Sequence, residues 1–258
     1  LVEQTRPQCV TVHLDGDNLR SLTDEQWATL RVAQWFGRAF GVRWRRNGDA
    51  LHPALARRLG FRRNYADAQH ARVGASSVDH LVHMTWNALS YAFEGQALLA
   101  PCEHNATVVL EDDLLPAHDL MEYMSYGRGV MERDPLVRVV SAWNDNGFNL
   151  RPGLQCAVQR GDYFMSLGWL TTRAVYEELM SAEDIWPVER FAMDGSDSGN
   201  MTEAVLSILN GWETPFVNLF ASQEAVALFP TVTRVTHQRS ISAWSTTADL
   251  QAQILDPQ

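Results

Sequence analysis

Apolar and polar residues alternate through Cys9–Leu14, a β-rich run that stops at the turn cluster Asp15-Gly16-Asp17-Asn18. Thr23 then has the chemistry of an N-cap, with Asp24 and Glu25 in the first turn and Trp27, Leu30 and Ala33 on one helical stripe. Alternation resumes at Val42 and Trp44. Strand, helix and strand in that order predict a β-α-β unit, two parallel strands with a helix against them. Further on, Leu81, Thr85, Ala88 and Ala92 share one face of a helix predicted over Ser77–Phe93, which also carries His83 and Trp86. Thr107–Leu110 reads as a short apolar strand. A helix around His118–Val130, a strand over Val137–Ser141 and a helix over Thr171–Met180 follow. The pattern predicts an α/β fold with a mostly parallel central sheet flanked by helices, free of internal repeats.

The 258 residues suffice for one well-packed domain, and 46% hydrophobic with 20% charged residues is globular composition. All 21 basic residues are arginines. Without lysine there is no Schiff-base, pyridoxal-phosphate or P-loop lysine chemistry. The net charge of −10 argues against a nucleic-acid or anionic-membrane partner. That charge is unevenly spread: residues 1–72 hold 12 arginines against seven acids, and residues 43–72 alone hold eight arginines. Those arginines read either as a solvated surface or as an anion-facing patch. No apolar run approaches the roughly 20 residues of a membrane span. Cys9, Cys102 and Cys156 are too scattered for a zinc site. Asn105-Ala106-Thr107 and Asn200-Met201-Thr202 would accept glycans in a secretory compartment.

The densest chemistry is Glu111-Asp112-Asp113, directly after the predicted strand at Thr107–Leu110. Three adjacent acids at a strand end repel one another. A solvated loop or helix start accommodates them, and so does a hard divalent cation, Mn²⁺ or Mg²⁺, held by one or two carboxylates and completed by substrate phosphates. In open α/β sheets the ligand crevice lies at such strand ends.

Val108-Val109-Leu110-Glu111-Asp112-Asp113-Leu114, followed by Val140-Ser141-Ala142-Trp143-Asn144-Asp145-Asn146-Gly147, resembles the N-acetylglucosaminyltransferase I family, which includes the protein O-mannose N-acetylglucosaminyltransferase relatives. Arg160-Gly161-Asp162-Tyr163-Phe164 with Leu167-Gly168-Trp169-Leu170 is similar to the family's Leu-Gly-Trp block. Pro230-Thr231-Val232-Thr233-Arg234, with His237 after it, resembles its closing Pro-x-Ile/Val-Ser-Arg segment. The resemblance implies a GT-A-like nucleotide-sugar-binding fold spanning residues 1–258, with a nucleotide-binding half at 1–115 and an acceptor-side half at 116–258. It implies metal-dependent, inverting transfer of GlcNAc from UDP-GlcNAc to a mannose-bearing glycan or glycoprotein, in the Golgi lumen or another secretory compartment. Asp113 would bind the metal, Glu111 and Asp112 the nucleotide and donor, His83 the nucleotide, and Asp15 the uracil.

The family places its base in a Trp-Asp-rich segment after the Leu-Gly-Trp block. Here that stretch is Trp186–Asp197, in which Asp194 is the match and Asp197 the reserve, without the flanking tryptophans. Trp143 and Trp169 read either as sugar-stacking faces or as core. Asn144 and Asp145 read as ligands of sugar hydroxyls or as an Asx-turn. Leu167, Gly168 and Arg234 complete the expected pocket. Family members open with a strand ending in Cys-Asp-Arg that has no counterpart here, so a larger chain or assembly is expected to supply it.

Two other readings compete. Leu14-Asp15-Gly16-Asp17 superficially resembles the Asp-x-Asp motif of haloacid-dehalogenase phosphatases, with Asp15 as nucleophile and Asp17 as acid, but that chemistry normally uses a lysine. The second is a non-catalytic member of the transferase fold that binds glycans or serves as an assembly subunit.

Overall fold

The computed structural model describes residues 10–14, 24–40, 43–46, 77–94, 105–111, 113–145, 147, 156–182, 212–222 and 224–237. The N-terminal β-α-β unit is present as β1 (Thr11–Leu14), α1 (Asp24–Phe40) and β2 (Arg43–Arg46). The two strands pair in parallel, Thr11 opposite Arg43 through Leu14 opposite Arg46. Of the stripe expected to bury α1, Leu30 is buried and Trp27 exposed, while the side chain of Ala33 lies outside the described residues; Val32 and Trp35 elsewhere on the helix are exposed. An edge-on contact between His13 and Tyr91, with ring centroids 5.8 Å apart, links β1 to α2 (Ser77–Glu94).

On α2 the buried side is set by its largest side chains. Trp86, Leu89 and Phe93 are fully buried at i, i+3 and i+7, while Thr85, Ala88 and Ala92, expected to lead the apolar face, are half-buried. Bulk decides because a ring removes far more apolar area from water than an alanine does.

The main sheet comprises β3 (Ala106–Val109), β5 (Val137–Ser141), β6 (Val158–Gly161), β7 (Trp169–Thr172) and β8 (Val226–Pro230) in the order β3-β7-β5-β8-β6. Its expected parallel character is corrected: β5 and β8 are parallel, but β3–β7, β7–β5 and β8–β6 are antiparallel. The reason is connectivity. Strands β6 and β7 both run against β5 and β8, so the chain reverses between β5 and β6, and residues 162–168 then carry it across to β7 in that reversed direction without a helix. The α/β class itself holds, with helices α3 (Leu120–Met131), α4 (Arg173–Ser181) and α5 (Thr214–Ser222) around the sheet. A second antiparallel pair, β4 (Leu114–Pro116) with β9 (Val235–His237), lies outside the main sheet.

The core between sheet and helices is aromatic. Phe164 stacks on Phe216 at 4.8 Å, Trp169 on Trp212 at 5.5 Å, and Trp86 on Phe216 at 5.8 Å. The Trp86 indole N–H donates to the Trp212 carbonyl at 3.1 Å, so the buried donor is satisfied. Thr172 ends β7 and caps α4, its hydroxyl accepting from the Val175 amide. No helix among the described residues is long and apolar enough to cross a membrane.

Helix α3 approaches β5 closely at Gly127, where an added Cβ would lie 2.5 Å from Val140 Cγ1. Alanine normally improves a helix interior by about 1 kcal/mol over glycine. Here the stiff, fully buried Val140 cannot move aside, and overpacking costs typically ~1–3 kcal/mol. Gly127→Ala is expected to lower the denaturation midpoint. A raised midpoint in urea titration would show that Val140 yields.

Candidate functional site

Because β3 and β5 both oppose β7, and β8 parallels β5, the carboxyl ends of β3, β5 and β8 lie along one edge of the sheet. Glu111 and Asp113 follow β3 at that edge, both half-buried, in a turn closed by the Leu114 amide on the Glu111 carbonyl at 3.3 Å. Asp113 Oδ1 is removed from solvent. Asp112 falls outside the described residues.

From this turn the chain enters β4, whose pairing with β9 ties the end of β3 to the chain leaving β8. Beneath this tie the Arg234 amide donates to the Ala142 carbonyl at 2.7 Å, and the Ala142 amide to the Gly168 carbonyl at 2.6 Å. Gly168 has φ +66°, and a Cβ there would stand 3.0 Å from Val235, 3.2 Å from Leu110 and 3.3 Å from Ala142. Both the left-handed backbone and the crowding favour glycine.

The turn after β5 is equally fixed. Asn144 is buried, its amide donating to the carbonyls of Pro230 at 2.9 Å and Thr231 at 3.2 Å. The Trp143 amide bonds the Ser141 hydroxyl at 3.1 Å, and the Trp143 indole N–H donates to Asp145 Oδ1 at 2.7 Å. Asp145 itself is exposed. Thr233 donates its hydroxyl to the carbonyl of Ala142 at 3.1 Å or of Val235 at 3.0 Å.

Arg234 is half-buried, its Nε 2.9 Å from Asp119 Oδ2 in an ion pair. Asp119 occupies the N-cap position of α3 without making a side-chain cap bond. The neighbouring Tyr123 donates its hydroxyl to the Ser141 carbonyl at 2.8 Å. Burial pushes the Tyr123 phenol well above its ordinary range, although Arg234 pulls the other way. Tyr163 is exposed, and partial burial together with the carboxylates of Glu213 and Asp145 raises its phenol.

Several sequence expectations change in this setting. Trp169 is 1% exposed and Trp143 5%, so neither presents a face for sugar stacking; both follow the core reading. The Asn144 amide donates to the carbonyls of Pro230, the last residue of β8, and of Thr231 after it. Leu167 is half-buried against the core, and Gly168 is a crowded backbone position with positive φ. Asp15, Asp112, Asp194 and Asp197 lie outside the described residues. The backbone of His83 sits on α2, with its side chain outside them. Asp119, Tyr123, Thr233 and Tyr163 escaped the sequence reading as individual side chains. An acid just before an apolar helix looks like an ordinary cap, which hid Asp119.

The chemistry of Glu111 and Asp113 fits a hard divalent cation: two half-buried carboxylates of the same charge at the strand-end edge. Among the described residues no group of three His, Cys, Asp or Glu side chains could enclose an ion. An ion held by these two carboxylates would draw its remaining ligands from phosphate and water.

Residues 85–194 match the GNT-I family. An alpha-1,3-mannosyl-glycoprotein 2-beta-N-acetylglucosaminyltransferase of Arabidopsis thaliana is 35% identical over 80 residues, which cover 31% of this chain and 17% of that protein. The resemblance to the N-acetylglucosaminyltransferase I family thus stands. The matched segment includes the β3 carboxylates, the Trp143–Asp145 turn and Gly168.

Tyr123 yields a test of the α3 clasp. A phenol whose folded pKa is raised stabilises the fold fully below its unfolded value of about 10, and that contribution is lost as pH rises beyond it. Stability is expected to fall above about pH 10. Tyr123→Phe should lower stability by about 1 kcal/mol at neutral pH and make the alkaline decline shallower. The decline should not vanish, since burial and Glu94 also raise Tyr176. Urea titrations across the alkaline range check it; equal slopes for both proteins would refute the assignment.

Proposed function

We propose that this chain is an N-acetylglucosaminyltransferase that moves GlcNAc from UDP-GlcNAc to a mannose-bearing acceptor with inversion and with the help of a divalent cation. The observation that carries this reading is the placement of Glu111 and Asp113 at the shared strand-end edge, inside the segment that matches the family.

Asp113 would hold Mn²⁺ or Mg²⁺, with Glu111 and Asp112 beside it toward the nucleotide and donor. When bound, that cation would neutralise charge growing on the departing diphosphate. With so few protein ligands its affinity is low until diphosphate oxygens join. In the transfer, an acceptor hydroxyl oxygen attacks the anomeric carbon opposite UDP, the bond from that carbon to the diphosphate oxygen breaks, and a carboxylate takes the hydroxyl proton. Asp194 is the base in this reading, a role worth about 10²–10⁴-fold in rate, and Asp197 is its reserve.

A secretory setting accords with Asn105, which is exposed at the amino end of β3, opposite the carboxylates. A glycan at this sequon would leave the site open. The non-catalytic reading draws on one observation, that the stretch 186–197 lacks tryptophans beside Asp194.

Two measurements decide between these readings. Asp113→Asn is expected to abolish Mn²⁺-dependent UDP binding in calorimetry while leaving the denaturation midpoint in place. Equal UDP affinity with Mn²⁺ and with chelator would sink the metal assignment. Asp194→Asn should keep UDP affinity and cut transfer from UDP-GlcNAc by about 10²-fold or more, with Asp197→Asn doing much less. A wild-type protein that binds UDP but transfers to no mannose-bearing acceptor would favour the non-catalytic reading.

A further inference from the structure

Asp145 is an exposed carboxylate held as though it were a buried one. The Trp143 indole N–H meets its Oδ1 at 2.7 Å, a charge-assisted bond from a ring that is itself 5% exposed. The turn carrying both residues is anchored by the Ser141 hydroxyl, by the carbonyls of Pro230 and Thr231, and by the Gly147 amide on the Asn144 carbonyl at 2.9 Å. At Gly147 a Cβ would lie 3.0 Å from both the Asn144 carbonyl and the Thr233 amide, so this turn has little room to shift. The bond to Asp145 satisfies the buried indole N–H, and the anchored turn goes further by holding the rest of the carboxylate in one orientation. A ligand-binding group benefits from being preorganised in this way.

The surroundings indicate the ligand class. A carboxylate has about four acceptor positions, of which the indole uses one, leaving others for hydroxyl donors. Tyr163, 59% exposed, lies within electrostatic reach of Asp145 and offers an aromatic surface. Carboxylate and open aromatic ring together match a pyranose, with its hydroxyl rim and C–H face. Location then separates one sugar from another. Strand β7 lies between β3 and β5, so the ends of β3 and β5 are about 10 Å apart, roughly one hexose beyond the Glu111–Asp113 turn.

We propose that Asp145 binds hydroxyls of the acceptor sugar, with Tyr163 flanking that sugar and Trp143 acting as the positioning residue for the Asp145 carboxylate. This rests on the transferase reading above for what occupies the β3 end, but its test does not require turnover.

The test is titration of the full chain with a mannose-terminated oligosaccharide, followed by saturation-transfer NMR, beside UDP–Mn²⁺ calorimetry on the same samples. Asp145→Asn keeps an oxygen for the indole but loses the charge, and should weaken the oligosaccharide by about ten-fold with UDP affinity unchanged. Trp143→Phe should weaken it too, and should add little in the Asp145→Asn background. Its denaturation midpoint is recorded because a buried ring is being trimmed. Oligosaccharide affinity in Asp145→Asn equal to wild type would overturn the proposal, as would an equal loss of UDP affinity. So would a wild type that binds UDP–Mn²⁺ but no mannose-terminated oligosaccharide. Asp145-dependent oligosaccharide binding in a wild type that binds no UDP would remove the transferase reading and leave this assignment standing.

Discussion

Two backbone hydrogen bonds, from Arg234 to Ala142 and from Ala142 to Gly168, hold the site edge together. They join segments that leave β8, leave β5 and enter β7, three pieces of chain that no turn connects. The junction works only because Gly168 lacks a Cβ and adopts a positive φ, which lets Leu110, Ala142 and Val235 close around one point. The Asp119–Arg234 ion pair and the Tyr123 hydroxyl then lock α3 to the same junction. The positions of Glu111, Asp113 and Asp145 all follow from this one knot.

The electrostatics of the edge constrain its chemistry. The chain carries a net charge of −10, and two half-buried carboxylates sit where strand ends converge. A diphosphate is repelled from such a place unless a cation stands between them. An uncharged sugar meets no such barrier, and a fixed carboxylate attracts its hydroxyls. In the proposed reading the edge would thus divide into a part that needs a counter-ion and a part that does not.

Legibility in the sequence followed the strength of local signals. Val137–Ser141 was readable to the residue, the helix at 77–94 to within a residue and the start of the helix at 24–40 from its cap, because long periodic or β-branched runs leave little choice. Strands β4, β6, β7, β8 and β9 were not separately legible. They are three to five residues long, and several owe their strand state to partners more than 60 residues away. Sheet polarity failed for a similar reason: the β-α-β unit at the start is parallel, but nothing local announces that the chain reverses between β5 and β6, which sets β6 and β7 against β5 and β8. Trp143 and Trp169 could not be placed by residue type, because an indole serves a core and a sugar equally well. The acidic run at 111–113 was legible because its charges demand an explanation wherever they are placed.

The β4–β9 pair has a further consequence for how the protein comes into being. It joins residues 114–116 to residues 235–237, so the carboxylates at 111 and 113 acquire their fixed setting only when chain made about 120 residues later returns to them. Closing so long a loop is entropically costly and slow compared with forming the hairpins and helices between. During synthesis the acidic turn exists well before its frame does. Shortening the chain ahead of Val235 would leave Glu111, Asp113 and Asp145 all present in sequence while removing the strand that assembles their edge.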